Sequence, residues 1–196
     1  MKRLYHQLLH HWGEPADFIS FDKGVARTRG PQDLVHVAVW HPDPECDITS
    51  FNTLGMSERL MPGARYRAEL NLGLRGGAVP SSDDIRAMAQ FLANLAAYPF
   101  LNALALDWRE RLADPGSIPC FPGFTQLLLA PSLDGKGLEW FDPPDDNVKL
   151  LRAIPIGPYE THVLKAHGWQ AFLEYADERH LDRFSPSRPL PPLAAV

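Results

Sequence analysis

The sequence has 196 residues, of which 45% are hydrophobic and 22% charged, values typical of a folded protein with a sizeable core. With 19 Lys and Arg against 24 Asp and Glu, the net charge of −5 argues against nucleic acid as a partner, because binding to a phosphate backbone needs a basic surface. Cys46 and Cys120 lack the spacing of a zinc site or a disulfide framework, and no apolar run approaches the roughly 18 residues of a membrane span. The N-terminus also lacks the features of a secretory signal. These properties predict a soluble cytoplasmic protein, and the sequence points to no cofactor, metal or membrane contact.

The first third of the chain contains a short helix followed by strands. From Leu4 to Trp12 the apolar residues fall on one side of a helix that we expect to end at Gly13. Residues 18–21 form a short strand candidate. The nearly continuous apolar run 34–41 predicts a central strand that is covered on both faces.

The most regular strand pattern lies at 66–74, where apolar and polar residues alternate with a period of two. This pattern predicts one buried face and one solvated face, with Arg67 and Glu69 on the solvated face. Turn-forming residues between 55 and 63 separate this strand from another at 48–54.

The remainder of the chain contains two helical regions. Ser81 is the expected N-cap of a long helix, because acidic residues follow it and apolar residues then recur at helical spacing. The long segment 99–122 is typical of a seam between two halves. Strands are predicted at 124–130 and 149–156. Pro158 should then open a helix that ends at Gly168, and a further apolar stripe follows.

Three strands, at 34–41, 48–54 and 66–74, and the short candidate at 18–21 precede the first long helix, so the regular alternation of a doubly wound fold is missing. The prediction is an α+β fold: a mostly antiparallel or mixed sheet, or two linked sheets, with helices packed outside and two halves around a cleft. We expect one domain over 1–196, with sub-lobes at about 1–100 and 120–184 and a proline-rich tail at 185–196.

Histidines and loop carboxylates are the candidates for chemistry. A hydrolase could use His36 or His41 with the carboxylates of Asp43, Glu45 and Asp47, although no serine nucleophile motif accompanies them. One alternative is a solvated hairpin connection, which is favoured because the loop lacks the glycine and closing carboxylate of a calcium site. The other is a rigid acidic loop that steers a basic partner. His6 and His10 share one flank of the first helix, but no carboxylate or thiolate in that helix completes a metal site.

Several short motifs occur in a characteristic order along most of the chain. They are Thr53-Leu54-Gly55-Met56-Ser57, Ala68-Glu69-Leu70, Ala153-Ile154-Pro155-Ile156 followed by Glu160, Lys165-Ala166-His167-Gly168, and Arg188-Pro189. Together they resemble the suppressor of fused domain family. This resemblance implies a binding module: animal members sequester Gli-type zinc-finger transcription factors, and many bacterial members are thought to be immunity proteins that neutralise secreted toxins. It also implies that the residues 53–57, Glu160 and Gly168 have a structural role.

The leading hypothesis is therefore a non-enzymatic binding module that acts as a cytoplasmic bacterial immunity protein and occludes a toxin. The partner would occupy the cleft or add a strand to a sheet edge. The predicted contact residues are Asp43, Glu45 and Asp47, together with Arg67 and Glu69. The alternatives are a regulator that sequesters a transcription factor and the hydrolase described above.

Overall fold

The computed structural model describes residues 2–22, 34–42, 47–76, 78–131, 139–141 and 147–191. In these ranges, helices pack on both faces of a mixed sheet, so the predicted α+β class is confirmed. The helices are α1 (Lys2–Trp12), α2 (Ser82–Leu101) and α3 (Pro158–Glu178). The strands are β1 (Asp17–Asp22), β2 (Leu34–Trp40), β3 (Thr49–Leu54), β4 (Arg67–Leu74), β5 (Arg111–Leu112), β6 (Gln126–Ala130), β7 (Trp140–Phe141) and β8 (Val148–Ile156).

The strands form one sheet in the order β1-β2-β3-β4-β8-β6-β5, and β7 pairs with β8. Neighbouring strands are antiparallel except β4 and β8, which are parallel and place Ala68 opposite Lys149 and Leu70 opposite Leu151. The two stretches predicted as lobes thus contribute to one continuous sheet. Their division into sub-lobes stays a prediction.

The sheet has a large core on one face and two smaller clusters on the other. Under α2, Met88 and Leu92 pack in the same cluster as Phe51 and Leu70. On the opposite face, Leu4 and Leu8 of α1 pack with Ala38, Leu54 and Leu150. The third cluster joins Val163 and Phe172 of α3 to Leu128 and Ile154.

Two expectations about the strands were wrong. The apolar strand β2 lies next to the edge and not at the centre, because β1 alone separates it from the end of the sheet. Strand β4 was expected to be half solvated, yet Glu69 is 0% exposed and Asn71 is 3% exposed. Their polar groups are hydrogen-bonded inside the protein, which removes the need for water.

Helix boundaries agree with the sequence except at the end of α3. Gly13 follows α1 with a φ of 74°, and Ser81 caps α2 by accepting a hydrogen bond from the Asp84 amide at 3.1 Å. Gly168 has a φ of 82° and interrupts α3, but the helix resumes and continues to Glu178. No helix in the described part of the chain is both long enough and apolar enough to cross a bilayer.

Candidate functional site

A buried carboxylate organises the connection between β3 and β4. Glu69 accepts hydrogen bonds from the Thr53 hydroxyl (2.6 Å), the Ser57 hydroxyl (2.6 Å) and the amides of Gly55 (2.9 Å) and Ser57 (3.1 Å). The Thr53 hydroxyl also accepts from the Leu70 amide at 2.8 Å, at the point where the β3–β4 pairing ends. The motif at 53–57 therefore folds around the glutamate of the following strand.

Burial and hydrogen bonding act in opposite directions on this glutamate. Desolvation is the larger effect and raises the pKa of Glu69, while the hydrogen bonds from Ser57, Thr53 and the Gly55 amide act to lower it. The φ of Gly55 is 121°, a conformation that side-chain-bearing residues rarely adopt, and it allows the chain to turn towards the carboxylate.

Arg67 also stabilises this turn, by hydrogen bonds to its backbone carbonyls. It is half-buried, and its Nη1 donates to the carbonyl oxygens of Ser57 (2.8 Å) and Glu58 (2.7 Å). The expectation that Arg67 and Glu69 both face solvent was thus wrong, because the turn at 55–58 covers this part of β4.

A buried ion pair joins the start of α3 to the tail. Arg188 donates from Nε to Glu160 Oε1 and from Nη2 to Glu160 Oε2, both at 2.9 Å, and also donates to the Pro155 carbonyl. Its guanidinium lies 4.2 Å from the centroid of the Phe124 ring. Glu160 also accepts from the Gly157 amide at 2.8 Å. The part of the tail from 185 to 191 is therefore held against the sheet.

Of the predicted acidic contact residues, the structure describes Asp47, which does not lie beside Arg67. Asp43 and Glu45 are outside the described residues, and Asp47 is exposed just before β3. Since Thr49 pairs with Leu74, Asp47 lies near the end of β4, whereas Arg67 begins that strand. The structure separates Asp47 from Arg67 along the sheet, and the role of Asp43, Glu45 and Asp47 in partner binding stays a prediction.

The histidines considered for chemistry have separate neighbours. His36 lies 2.7 Å from the Ser20 hydroxyl, and burial lowers the pKa of its imidazole. His41 lies 3.2 Å from a carboxylate oxygen of Asp17. Among the residues that the structure describes, no three His, Cys, Asp or Glu side chains form a group that could hold a metal ion.

The two edges of the sheet differ in length. β5 has two residues, whereas β1 has six, and within the described ranges β1 pairs only with β2. Phe18 in β1 is 46% exposed, and its ring lies 4.7 Å from that of His36 and 5.7 Å from that of Tyr5.

Sequence reasoning missed an aromatic box around Lys149. Its ammonium lies 3.9 Å from the ring centroid of Tyr66, 4.2 Å from that of Trp108 and 5.1 Å from that of Trp140, and it pairs with Asp107. The signal for this box in the sequence was a lysine within the largely apolar strand 148–156. The rings come from distant segments, so no local pattern revealed the box.

Comparison with known proteins agrees with the sequence motifs. A sequence model of the suppressor of fused protein family matches residues 30–189. Among solved structures, the suppressor of fused homologue from Neisseria gonorrhoeae FA 1090 is 16% identical with a TM-score of 0.71, covering 96% of this chain and 94% of that one. None of the curated proteins compared with this chain matches it.

Two further structures share the fold at 14% identity. The chain in the Sufu–Fu complex has a TM-score of 0.65, with coverage of 96% of this chain and 88% of that one. Drosophila Suppressor of Fused has a TM-score of 0.62, with coverage of 96% and 49%. This chain therefore spans about half of the Drosophila protein.

Proposed function

This chain belongs to the suppressor of fused family, and we propose that it is a non-catalytic protein-binding module that neutralises a bacterial toxin by occlusion in the cytoplasm. The observation that carries the proposal is the six-residue edge strand β1 with its exposed Phe18. A protein of the same fold was crystallised in the Sufu–Fu complex, which supports the binding of a protein partner.

Strand addition is the binding mode that β1 favours. An edge strand offers backbone donors and acceptors in a row, and an extended partner segment can pair with them. Phe18 would supply an apolar contact beside that row, because its ring stands out from the sheet against Tyr5 and His36. Binding along this edge needs no movement of the sub-lobes around 1–100 and 120–184, which we propose act as one domain.

Acidic residues would assist the encounter. Asp47 is exposed, and the sequence places Asp43 and Glu45 just before it. Carboxylates near an interface raise the association rate with a basic partner more than they raise the final affinity. We propose Asp43, Glu45 and Asp47 for this role, and we assign Arg67 and Glu69 to holding the 55–58 turn.

Affinity capture followed by an inhibition assay tests the proposal. The chain, tagged at its C-terminus, is used to capture partners from its native cells at moderate salt, and the activity of a retained toxin is measured with and without one equivalent of chain. We expect that activity to be lost in the complex. A retained DNA-binding protein would instead support sequestration of a transcription factor. If only a metal ion or small molecule is retained, His36 and His41 become the residues to mutate.

Two variants locate the binding surface. Phe18→Lys places a charge on the exposed edge, and it should weaken binding of the captured toxin by roughly tenfold or more if β1 is the contact. Leu101→Lys is the matched control, since Leu101 is 52% exposed at the end of α2. Hydrogen exchange of the β1 amides provides an independent readout, because strand addition should slow exchange at alternate residues from Asp17 to Asp22. Unchanged exchange rates of the β1 amides in the complex would exclude β1 as the binding edge.

A further inference from the structure

Trp140 is an exposed aromatic side chain that is already held in place. It is 39% exposed, yet its ring contacts Trp108 at 5.4 Å and Tyr66 at 6.2 Å between centroids, with interplanar angles of 76° and 86°. Those two rings are fixed in turn, because Trp108 Nε1 donates to the Leu150 carbonyl (3.0 Å) and the Tyr66 hydroxyl donates to the Leu106 carbonyl (3.1 Å). A rigid exposed tryptophan loses little conformational entropy on binding, which favours its use as an interface anchor.

The surroundings of Trp140 favour a cation. The box already holds the ammonium of Lys149 against three ring faces, and Lys149 is paired with Asp107. Glu110 is exposed and its carboxylate accepts from the Asp107 amide at 2.8 Å, while Glu139 precedes Trp140 in the chain. Asp107 already balances the charge of Lys149, so the exposed carboxylate of Glu110, which is bound to the Asp107 amide, is the negative group available to a partner cation.

We propose that the exposed ring of Trp140 binds an arginine side chain of the partner protein, with Glu110 providing the complementary charge. Arginine fits better than lysine because its planar guanidinium stacks on an indole and is more weakly hydrated than an ammonium. Lys149 and Asp107 are positioning residues that keep the aromatic cluster rigid. This inference rests on the proposed function, because it adds the chemistry of the partner to a protein-binding module.

A titration with defined peptides tests the inference without the toxin. The full chain, labelled with ¹⁵N, is titrated with a tetra-arginine peptide, and a tetra-citrulline peptide serves as the uncharged isostere. The indole N–H signal of Trp140 is assigned from its absence in Trp140→Phe. We expect the tetra-arginine peptide to shift this signal and the citrulline peptide to leave it in place.

Substitutions separate this surface from general attraction to an acidic protein. Trp140→Ala should weaken tetra-arginine binding roughly threefold or more, as expected for loss of a cation–π contact. Glu110→Gln should also weaken it without disturbing the rings, whereas the control Glu174→Gln, at an exposed position on α3, should not. Equal binding of citrulline, peptide-induced shifts confined to other residues, or full binding by Trp140→Ala would overturn the proposal. None of those results would affect the test of β1, which uses the captured toxin.

Discussion

Arg188 and Glu160 form a bidentate ion pair between side chains that are 2% and 3% exposed, although 28 residues separate them in the chain. The pair closes the segment that follows α3 onto the N-terminal end of that helix. Both residues belong to the short motifs by which the sequence resembles its family, and their contact explains why these motifs occur in one protein.

Removal of one member of this pair should be costly. Arg188→Met leaves the Glu160 carboxylate buried without its charged partner, and we expect a loss of about 3–5 kcal/mol in the free energy of unfolding. Arg183→Met is the control: the Arg183 side chain is 17% exposed, but its partner Asp177 is 74% exposed and stays in water when the arginine is lost, so this pair should contribute about 1 kcal/mol or less. Urea denaturation measures both, and a similar small loss for the two variants would contradict a stabilising role for the buried pair.

The Glu69 cluster predicts different outcomes for two substitutions at the same position. Glu69→Leu leaves the hydroxyls of Thr53 and Ser57 and the amides of Gly55 and Ser57 without their acceptor, and it should lower stability by about 3 kcal/mol or more. Glu69→Gln keeps one acceptor oxygen for the Gly55 and Ser57 donors, so it should cost less. If Glu69→Gln is less stable than Glu69→Leu in thermal or urea unfolding, the hydrogen bonds that Glu69 accepts do not account for its contribution to stability.

The raised pKa of Glu69 gives stability a specific pH dependence. The folded chain holds the proton more tightly than the unfolded chain, so this contribution is fully present below the ordinary glutamate pKa and is lost as pH rises through the folded-state pKa. Glutamine does not titrate. The stability of the natural chain relative to Glu69→Gln should therefore fall as the pH rises from the ordinary glutamate pKa of about 4 towards neutrality. Urea denaturation across this range checks the sign, and a constant or rising difference would mean that the pKa is not raised.

Lys149→Met tests the aromatic box, because it keeps an unbranched side chain but removes the charge. Burial acts to raise the pKa of Asp107, but the hydrogen bond and charge of Lys149 help to lower it below its ordinary value. Without the ammonium of Lys149, the pKa of Asp107 should therefore rise. Carboxyl NMR titration measures the change. Stability should fall by about 1–2 kcal/mol, as for a desolvated cation–π contact, whereas the exposed control Lys165→Met should have little effect. An unchanged Asp107 pKa would exclude the coupling.

Gly73 predicts a steric effect at the end of β4. A Cβ at this position would lie 2.7 Å from Phe184 Cδ1 and 3.0 Å from Ile48 Cγ2, so Gly73→Ala must displace the Phe184 ring. We expect a loss of about 1–3 kcal/mol, as in other overpacked sites. Gly76→Ala is the control, since its nearest atom would be the Ala78 oxygen at 3.8 Å, and its unfolding midpoint should hardly change. Equal midpoints for the two variants would show that the ring moves at no cost.

Most elements of the fold could be predicted from local patterns, but the surroundings of their side chains could not. Period-two alternation located the strand containing Glu69 because alternate residues of a strand share a face. The same pattern cannot tell whether solvent or protein covers that face. The turn at 55–58 covers Glu69 here, which is why the assignment of Glu69 to a solvated surface was wrong, whereas Arg67 is half-buried against the same turn.

The sequence by itself determined the α+β class, the main helices and strands, and the family, because these depend on periodicity, capping residues and the order of short motifs. Only the tertiary structure decided that β4 and β8 join the two parts of the chain, that Arg188 neutralises Glu160 and that Tyr66, Trp108 and Trp140 surround Lys149. The physical reason is separation along the chain. Local patterns reflect neighbours a few residues apart, whereas these contacts join residues between nine and about 80 positions apart, and their distance in space is set by how the whole sheet packs.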